Sequence, residues 1–382
     1  MTKFSYFPPS ELGNGEVLAE GSLVLITGAP GLIGSHVVDQ CLAAGLKVRG
    51  ATRDRQRNAW LDEYFHNKYG SAMYETVEVK DMTVDGAYDE AVKDCAGVVH
   101  LATIGTFSTV ADEVIPPAVE GALNVIRAAA KQPTIKRFVY TSSSAAALGP
   151  KVNEEITLTQ ESWNEEDAEF VHGPSPSGPF LPMRVYAASK VKTEQALWKF
   201  MEEEKPGFTL TSVLPEPSLG RILHQAQIDQ ANEGLRVLSA NYPRIVYAGH
   251  LNAIKDFLPP RRFTPLSAAA AIHVAGLILP DTAGERIFAC SETWNWNRML
   301  GTLRTLYPTK VDQFGPDIEG LGHDLSKVPN DRAEDILKRV NKIIYGKAEG
   351  WASFEECVRD CLEGMPGVEV GDSNSEAADK DK

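Results

Sequence analysis

The sequence predicts an α/β chain built on a doubly wound parallel sheet, with a smaller C-terminal unit interleaved with it. Three observations predict this. Residues 22–26 read as a strand buried on both faces, because Leu23-Val24-Leu25-Ile26 is unbroken apolar. A glycine turn follows at 27–34, and 37–44 continue with helical spacing to a stop at Gly45. Further short strand-like segments at 47–52, 75–79 (alternating), 98–103 and 137–141 are interspersed with helix-forming stretches, the pattern of parallel strands joined by crossovers. One such stretch, 117–130, carries Gly121 and Asn124.

Composition narrows the function classes. With 382 residues, 43% hydrophobic and 24% charged, the chain has the make-up of a soluble globular protein with one large domain or two sharing a cleft. A formal net charge of -14 argues against nucleic acid or an anionic membrane as partner, since phosphate binding needs a positive face. Residues 1–22, with Pro8-Pro9, lack the basic-then-apolar order of a secretory signal, and no run is long enough to span a bilayer. The cysteines (Cys41, Cys95, Cys290, Cys357 and Cys361) are odd in number and scattered, which reads as reduced thiols in the cytoplasm. Cys357 and Cys361 share a predicted helix but have no histidine near them, so no metal site is expected.

The glycine turn reads as a dinucleotide site. Gly28 takes the tight turn, Gly31 lets the backbone approach a pyrophosphate, and Gly34 lets the helix pack close to the strand. The phosphates would rest on unpaired N–H groups at the helix start, at Leu32 and Ile33. The end of the second strand chooses the cofactor. Thr52 stands where an NAD site carries an acid for the ribose 2'-OH, and Arg53 follows, suited to grip the 2'-phosphate of NADP. Arg55 and Arg57 either add to that field or solvate the loop, and Asp54 offers a neighbouring arginine a carboxylate. Asp81 and Met82, after the third strand, are expected to face the adenine. His100, on the apolar fourth strand, reads better as a satisfied core histidine than as a catalyst.

Chemistry gathers further on. Thr141-Ser142-Ser143-Ser144 ends the fifth strand at the side where open α/β sheets bind ligands. Tyr186 and Lys190 stand four apart on a predicted helix, so hydroxyl and ammonium can point at one spot. Tyr64 and Lys68 have the same spacing by accident, and only the place after a serine-tipped strand separates the working pair from the decoy.

Together these motifs resemble the extended short-chain dehydrogenases/reductases. Within them, 48–53, Asp81-Met82, 86–90, 137–143, 198–201, 306–308 and 324–327 resemble the fungal NADPH-dependent aldehyde and ketone reductases, relatives of plant dihydroflavonol reductases. The resemblance implies a Rossmann fold and hydride transfer to a ketone or aldehyde of medium size. It makes Tyr186 the proton donor, its pKa brought toward neutrality by Lys190, which also holds the nicotinamide ribose. Ser143, chosen over Ser142 and Ser144 by counting along the motif, would bond the carbonyl oxygen. Ala102, Pro215 and Ser218 join the expected cofactor contacts, and Asn124 either helps hold Lys190 or only packs. Two readings compete with a reductase: a nucleotide-sugar epimerase or dehydratase, which would want the acid absent at Thr52, and a non-catalytic NADPH sensor, which has little need for all three site residues.

Residues 1–215 are expected to form the NADP-binding unit, 216–367 mainly a substrate unit, and 368–382 a disordered acidic tail. In the second unit, 225–240, 265–279, 297–306 and 331–345 read as helices and 285–289 as a strand. Glu216 stands where relatives usually have a neutral residue and is expected to shape substrate choice. An acid usual near Ser267-Ala268 is missing, so a polar tie between units is expected to be lost. The acidic, proline-rich stretch 150–184 reads as a lid. Phe107, Trp163, Phe180 and Phe257 are candidates for an apolar pocket, with core packing the better reading for each.

Overall fold

A computed structural model describes residues 17–106, 108–173, 176–178, 180–233, 239–365 and 368. Six strands come first: β1 (Leu23–Thr27), β2 (Lys47–Thr52), β3 (Tyr74–Glu78), β4 (Gly97–His100), β5 (Arg137–Thr141) and β6 (Thr209–Val213). Short strands follow as β7 (Ser218–Leu219), β8 (Arg261–Arg262), β9 (Thr264–Pro265), β10 (Arg286–Ile287) and β11 (Thr293–Trp294). Seven of them make one parallel sheet in the order β10-β6-β5-β4-β1-β2-β3. The order reverses between β1 and β4, which opens a crevice at their carboxyl ends. The predicted doubly wound sheet is therefore present.

The helices are α1 (Leu32–Ala43), α2 (Trp60–Tyr69), α3 (Ala111–Ala130), α4 (Glu165–Phe170), α5 (Leu181–Glu204) and α6 (Gln225–Asn232). Then come α7 (Tyr242–Tyr247), α8 (Leu266–Ile278), α9 (Trp296–Leu306), α10 (Val311–Phe314), α11 (Asp331–Tyr345) and α12 (Phe354–Leu362). Alternate strand residues point to opposite faces, and each face has its own cover. Val24, Ile26, Val48 and Val99 pack under α1, α2, α8 and α11, while Leu25, Val98, Phe138 and Leu210 pack under α3 and α5. A separate core of Phe263, Trp294, Trp296, Phe354 and Val358 holds α7, α9 and α12 together. Chain from the C-terminal third thus supplies both that core and two helices and an edge strand of the main sheet.

Several expected boundaries move. Helix α3 begins at Ala111, so Pro116 and Pro117 lie inside it. Asp112 and Glu113 in its first turn suit the positive end of the helix dipole and carry the start upstream of the prolines. Helix α5 likewise begins five residues before Tyr186. The helix expected over 225–240 ends at Asn232, and a short 3-10 turn follows at Ser239–Asn241. The strand expected over 285–289 pairs only through Arg286–Ile287. Stretch 150–184 is not a bare loop: it contains α4, bridges Thr157 to Lys327, and gives the Gln160 and Ser162 carbonyls to Arg286. The missing acid near Ser267 is replaced by Gln40, whose amide donates to the Ser267 carbonyl at 2.8 Å and ties α1 to α8. No helix among the described residues is long and apolar enough to cross a membrane. Residues 1–16 and 369–382, which include nearly all of the expected tail, and Phe107 lie outside the described residues.

Candidate active site

The glycine turn is built by three close approaches. Gly28 has φ +68, and a Cβ on it would meet the Ala102 nitrogen at 2.9 Å. A Cβ on Gly34 would lie 2.2 Å from the Gly28 carbonyl oxygen, and one on Gly31 would lie 3.0 Å from the same atom. The turn is thus folded so tightly on itself that side chains are excluded at Gly28 and Gly34 and crowded at Gly31. Helix α1 starts at Leu32 and Ile33 with no side-chain cap and no acid in its first turn, so its leading N–H groups and its dipole are available to an anion. Thr27, given no role by the sequence, fixes the floor. Its hydroxyl accepts the N–H groups of Leu101 and Ala102, both at 3.1 Å, and donates to His100 Nδ1 at 2.8 Å. Burial pulls the pKa of His100 down to about 3, so it is a neutral core group.

The arginine turn beside it sorts its charges. Arg55 pairs with Asp62 and Arg57 with Glu233, while Asp54 takes the backbone N–H of Arg57 at 2.8 Å. Arg53 is exposed and has no such partner among the described residues. A set of backbone donors without side chains over them and one uncommitted guanidinium fits a dinucleotide carrying an extra phosphate. Helix α6 braces both parts. The Gln227 amide donates to the Gly31 carbonyl at 3.1 Å and to Ser35 Oγ at 3.1 Å, and Gln230 donates to Asn58 at 3.1 Å. Sequence reading missed this brace, because glutamines on a short amphipathic helix give no sign of what lies opposite.

In the turn after β3, Asp81 accepts both the N–H and the hydroxyl of Thr83, at 2.8 and 2.7 Å. Met82 packs against Gly121, where a Cβ would lie 2.7 Å from its Cγ. Asn124 donates to the Met82 and Val84 carbonyls at 3.1 Å each, so it shapes that turn and does not hold Lys190.

At the end of β5 the three serines separate. Ser142 donates to Glu194 at 2.7 Å and Ser144 to Glu216 at 2.5 Å. Ser143 accepts the Ala145 N–H at 3.2 Å and is the hydrogen-bonding neighbour of the Tyr186 hydroxyl. Only Ser143 is left facing the phenol. Lys190 donates to the Thr141 carbonyl at 2.9 Å and stands 6.0 Å from the centre of the Tyr186 ring. Burial brings its pKa down to about 8, partly opposed by Glu194. Burial pushes the Tyr186 phenol up, against which the Ser143 hydrogen bond and the Arg261 guanidinium act.

Other expectations land elsewhere. Glu216 is half-buried and paired with Arg261 at 2.7 Å. The Pro215 carbonyl accepts the Ser144 N–H at 3.0 Å, and the buried Ser218 hydroxyl donates to the Glu216 carbonyl at 3.2 Å. Trp163 is packed under the Arg286 guanidinium at 3.8 Å, while Phe180 and Phe257 are exposed, so these three do not form a buried pocket lining. Tyr64 and Lys68 lie on α2, where Lys68 is tied to Asp39 at 2.8 Å.

Residues 24–258 match the NAD dependent epimerase/dehydratase family. Aldehyde reductase 2 of Sporidiobolus salmonicolor is 40% identical over 347 residues, covering 91% of this chain and 96% of that protein. A ketoreductase of Penicillium rubens is 33% identical over 343 residues, covering 89% of this chain and 95% of its own length. Among solved structures, Gre2 of Candida albicans in complex with NADPH superposes with a TM-score of 0.73 at 22% identity, covering 90% of this chain and 98% of that one.

Proposed function

The chain belongs to the NAD dependent epimerase/dehydratase family, and within it we propose that the protein is an NADPH-dependent reductase of aldehydes or ketones with Tyr186 as proton donor. The observation that carries this reading is the meeting of Ser143, Tyr186 and Lys190 at the carboxyl end of β5, in the crevice that the glycine turn also opens onto. The names of the relatives, aldehyde reductase and ketoreductase, support it. Gly28, Gly31 and Gly34, the N–H groups of Leu32 and Ile33, and Arg53 would hold the dinucleotide, whose reduced nicotinamide supplies a hydride. Tyr186 gives its proton to the substrate oxygen as charge grows there, and Ser143 donates a hydrogen bond to the same atom. Lys190, anchored at Thr141, is left to meet the ribose hydroxyls with its other N–H groups.

Residues 1–215 would carry the dinucleotide and 216–367 most of the substrate contacts. The five thiols, all buried and unpaired, are compatible with a reducing cytoplasm. The test is NADPH oxidation followed by absorbance against a panel of ketones and aldehydes. Turnover by the wild type that Tyr186→Phe abolishes supports the reading. NADPH binding without turnover of any carbonyl would replace it with a sensor.

A further inference from the structure

We propose that Asn58 and Gln230 are positioning residues that hold the two chain neighbours of Arg53, and so set how well the site tells a 2'-phosphorylated dinucleotide from one without that phosphate. The inference rests on the reading of Arg53 as the partner of the 2'-phosphate. Asn58 lies in the turn between β2 and α2, and Gln230 comes from α6, 172 residues later. The two are 4% and 5% exposed, so the group left to meet the phosphate is the exposed Arg53 and not either of them.

Asn58 Nδ2 donates to Thr52 Oγ1 and to the Asp54 carbonyl, both at 2.9 Å. Those are the residues immediately before and after Arg53. Thr52 Oγ1 also takes the Asp54 N–H at 3.4 Å, so the hydroxyl that stands where an NAD site has its acid is committed inside the turn. Gln230 Nε2 in turn donates to Asn58 Oδ1 at 3.1 Å, which occupies the amide oxygen and leaves both amide hydrogens to the turn. Helix α6 and the residues at its ends reach the same stretch twice more. Glu233 pairs with Arg57, and His224 stacks on Trp60 with ring centres 4.7 Å apart. Residues 57, 58 and 60 thus meet 233, 230 and 224, and the helix lies along the turn. A long exposed side chain grips an anion well only when the backbone beneath it is already fixed, because order present before binding need not be supplied by it. Gln227 serves the other turn: its amide donates to the Pro30 and Gly31 carbonyls at 3.2 and 3.1 Å. That turn would face the pyrophosphate, which both dinucleotides share. Loosening at Asn58 should therefore change discrimination, and loosening at Gln227 should change affinity for both.

The experiment measures dissociation constants on the full chain, with no turnover needed. NADPH and NADH are followed by fluorescence titration, and adenosine 2',5'-bisphosphate and AMP by calorimetry. Asn58→Ala should weaken NADPH and the bisphosphate by roughly three- to tenfold, the range that one or two neutral hydrogen bonds supply, and change NADH and AMP by less than about twofold. Gln227→Met should weaken NADPH and NADH alike. In an Arg53→Ala background, Asn58→Ala should move the NADPH-to-NADH ratio no further, because residues that act through one group are not additive. If Asn58→Ala does not fold, Gln230→Met is read in its place, with a smaller shift in the same direction. An unchanged ratio in the variant that is read, an equal change of ratio in Gln227→Met, or a further change on top of Arg53→Ala overturns the proposal. A ratio that Arg53→Ala itself leaves at the wild-type value overturns the reading of Arg53, and the proposal falls with it.

Discussion

At the residue scale the choice of dinucleotide turns on one side chain. Arg55 and Arg57 are tied to Asp62 and Glu233, which leaves Arg53 to meet a 2'-phosphate. Arg53→Ala should weaken NADPH by roughly tenfold or more, since hydrogen bonds to charged groups contribute about 1.5 to 3 kcal/mol, and should leave NADH almost unchanged. Fluorescence titration with both cofactors checks this, and equal losses would refute the assignment. Tyr186→Phe should retain NADPH binding while losing about 10² to 10⁴ in turnover, and Tyr64→Phe should be silent. If the two variants behave alike, position after the serine-tipped strand has no meaning. The sequence made Tyr186, Lys190 and the glycines legible because their spacing is local. Thr27 under the turn was not legible, since it acts across more than 70 residues of chain.

At the scale of elements, the turn between β1 and α1 is where close packing leaves least freedom. Gly34→Ala would drive a Cβ to 2.2 Å from a backbone oxygen that cannot swing away, so α1 must lift from the turn. The expected result is loss of both Tm and dinucleotide binding. Gly301 in α9 is the control: a Cβ there meets nothing within 4 Å, so Gly301→Ala should stabilise by about 0.5–1 kcal/mol through helix propensity and leave binding alone. Thermal unfolding of the two variants with and without NADPH tests the contrast, and a Gly34→Ala protein that binds normally would count against the packing argument. Element limits were read well where apolar runs carry them, as at β2, β5 and α11. They were read poorly at α3, where two prolines looked like a start, and in 150–184, where a run poor in apolar periodicity is anchored through Trp163 and the Gln160 and Ser162 carbonyls by Arg286 at the far edge of the sheet. The lid expectation is tested over 173–182, which runs into the first residues of α5. Shortening 173–182 should lower turnover of bulky ketones more than of small aldehydes, and parallel changes across a size series would exclude substrate contact there.

At the scale of the whole molecule the sheet is locked by buried polar groups whose charge state must be kept. Glu194 on α5 joins Ser142 at the end of β5 to Arg286 on β10, and the buried His273 of α8 joins Thr141 to the Ala269 carbonyl. The His273 Nδ1 donates to that carbonyl at 2.7 Å, so Nε2 accepts the Thr141 hydroxyl at 2.8 Å and the ring is neutral. Burial lowers its pKa from 6.5 to about 4, as it lowers that of His100 to about 3. Because the folded values lie below the unfolded one, the unfolded chain binds these protons first. Their contribution is fully present above about pH 6.5 and is lost as the pH falls toward 4. Asp281, held well below the usual carboxylate range by Arg339 and Arg332, acts only lower, below its unfolded value of 3.8, so the windows do not overlap. Stability measured by denaturant should therefore fall between about pH 6.5 and 4, by on the order of 1.4 kcal/mol per pH unit for each histidine, with about three protons taken up on unfolding because burial also lowers the pKa of His36 to about 4. His273→Gln should remove about one of them, because an amide keeps hydrogen-bonding groups without titrating. A midpoint that stays level across this range, or a His273→Gln variant with the wild-type slope, would show that the buried rings are not what sets the acid limit of the fold.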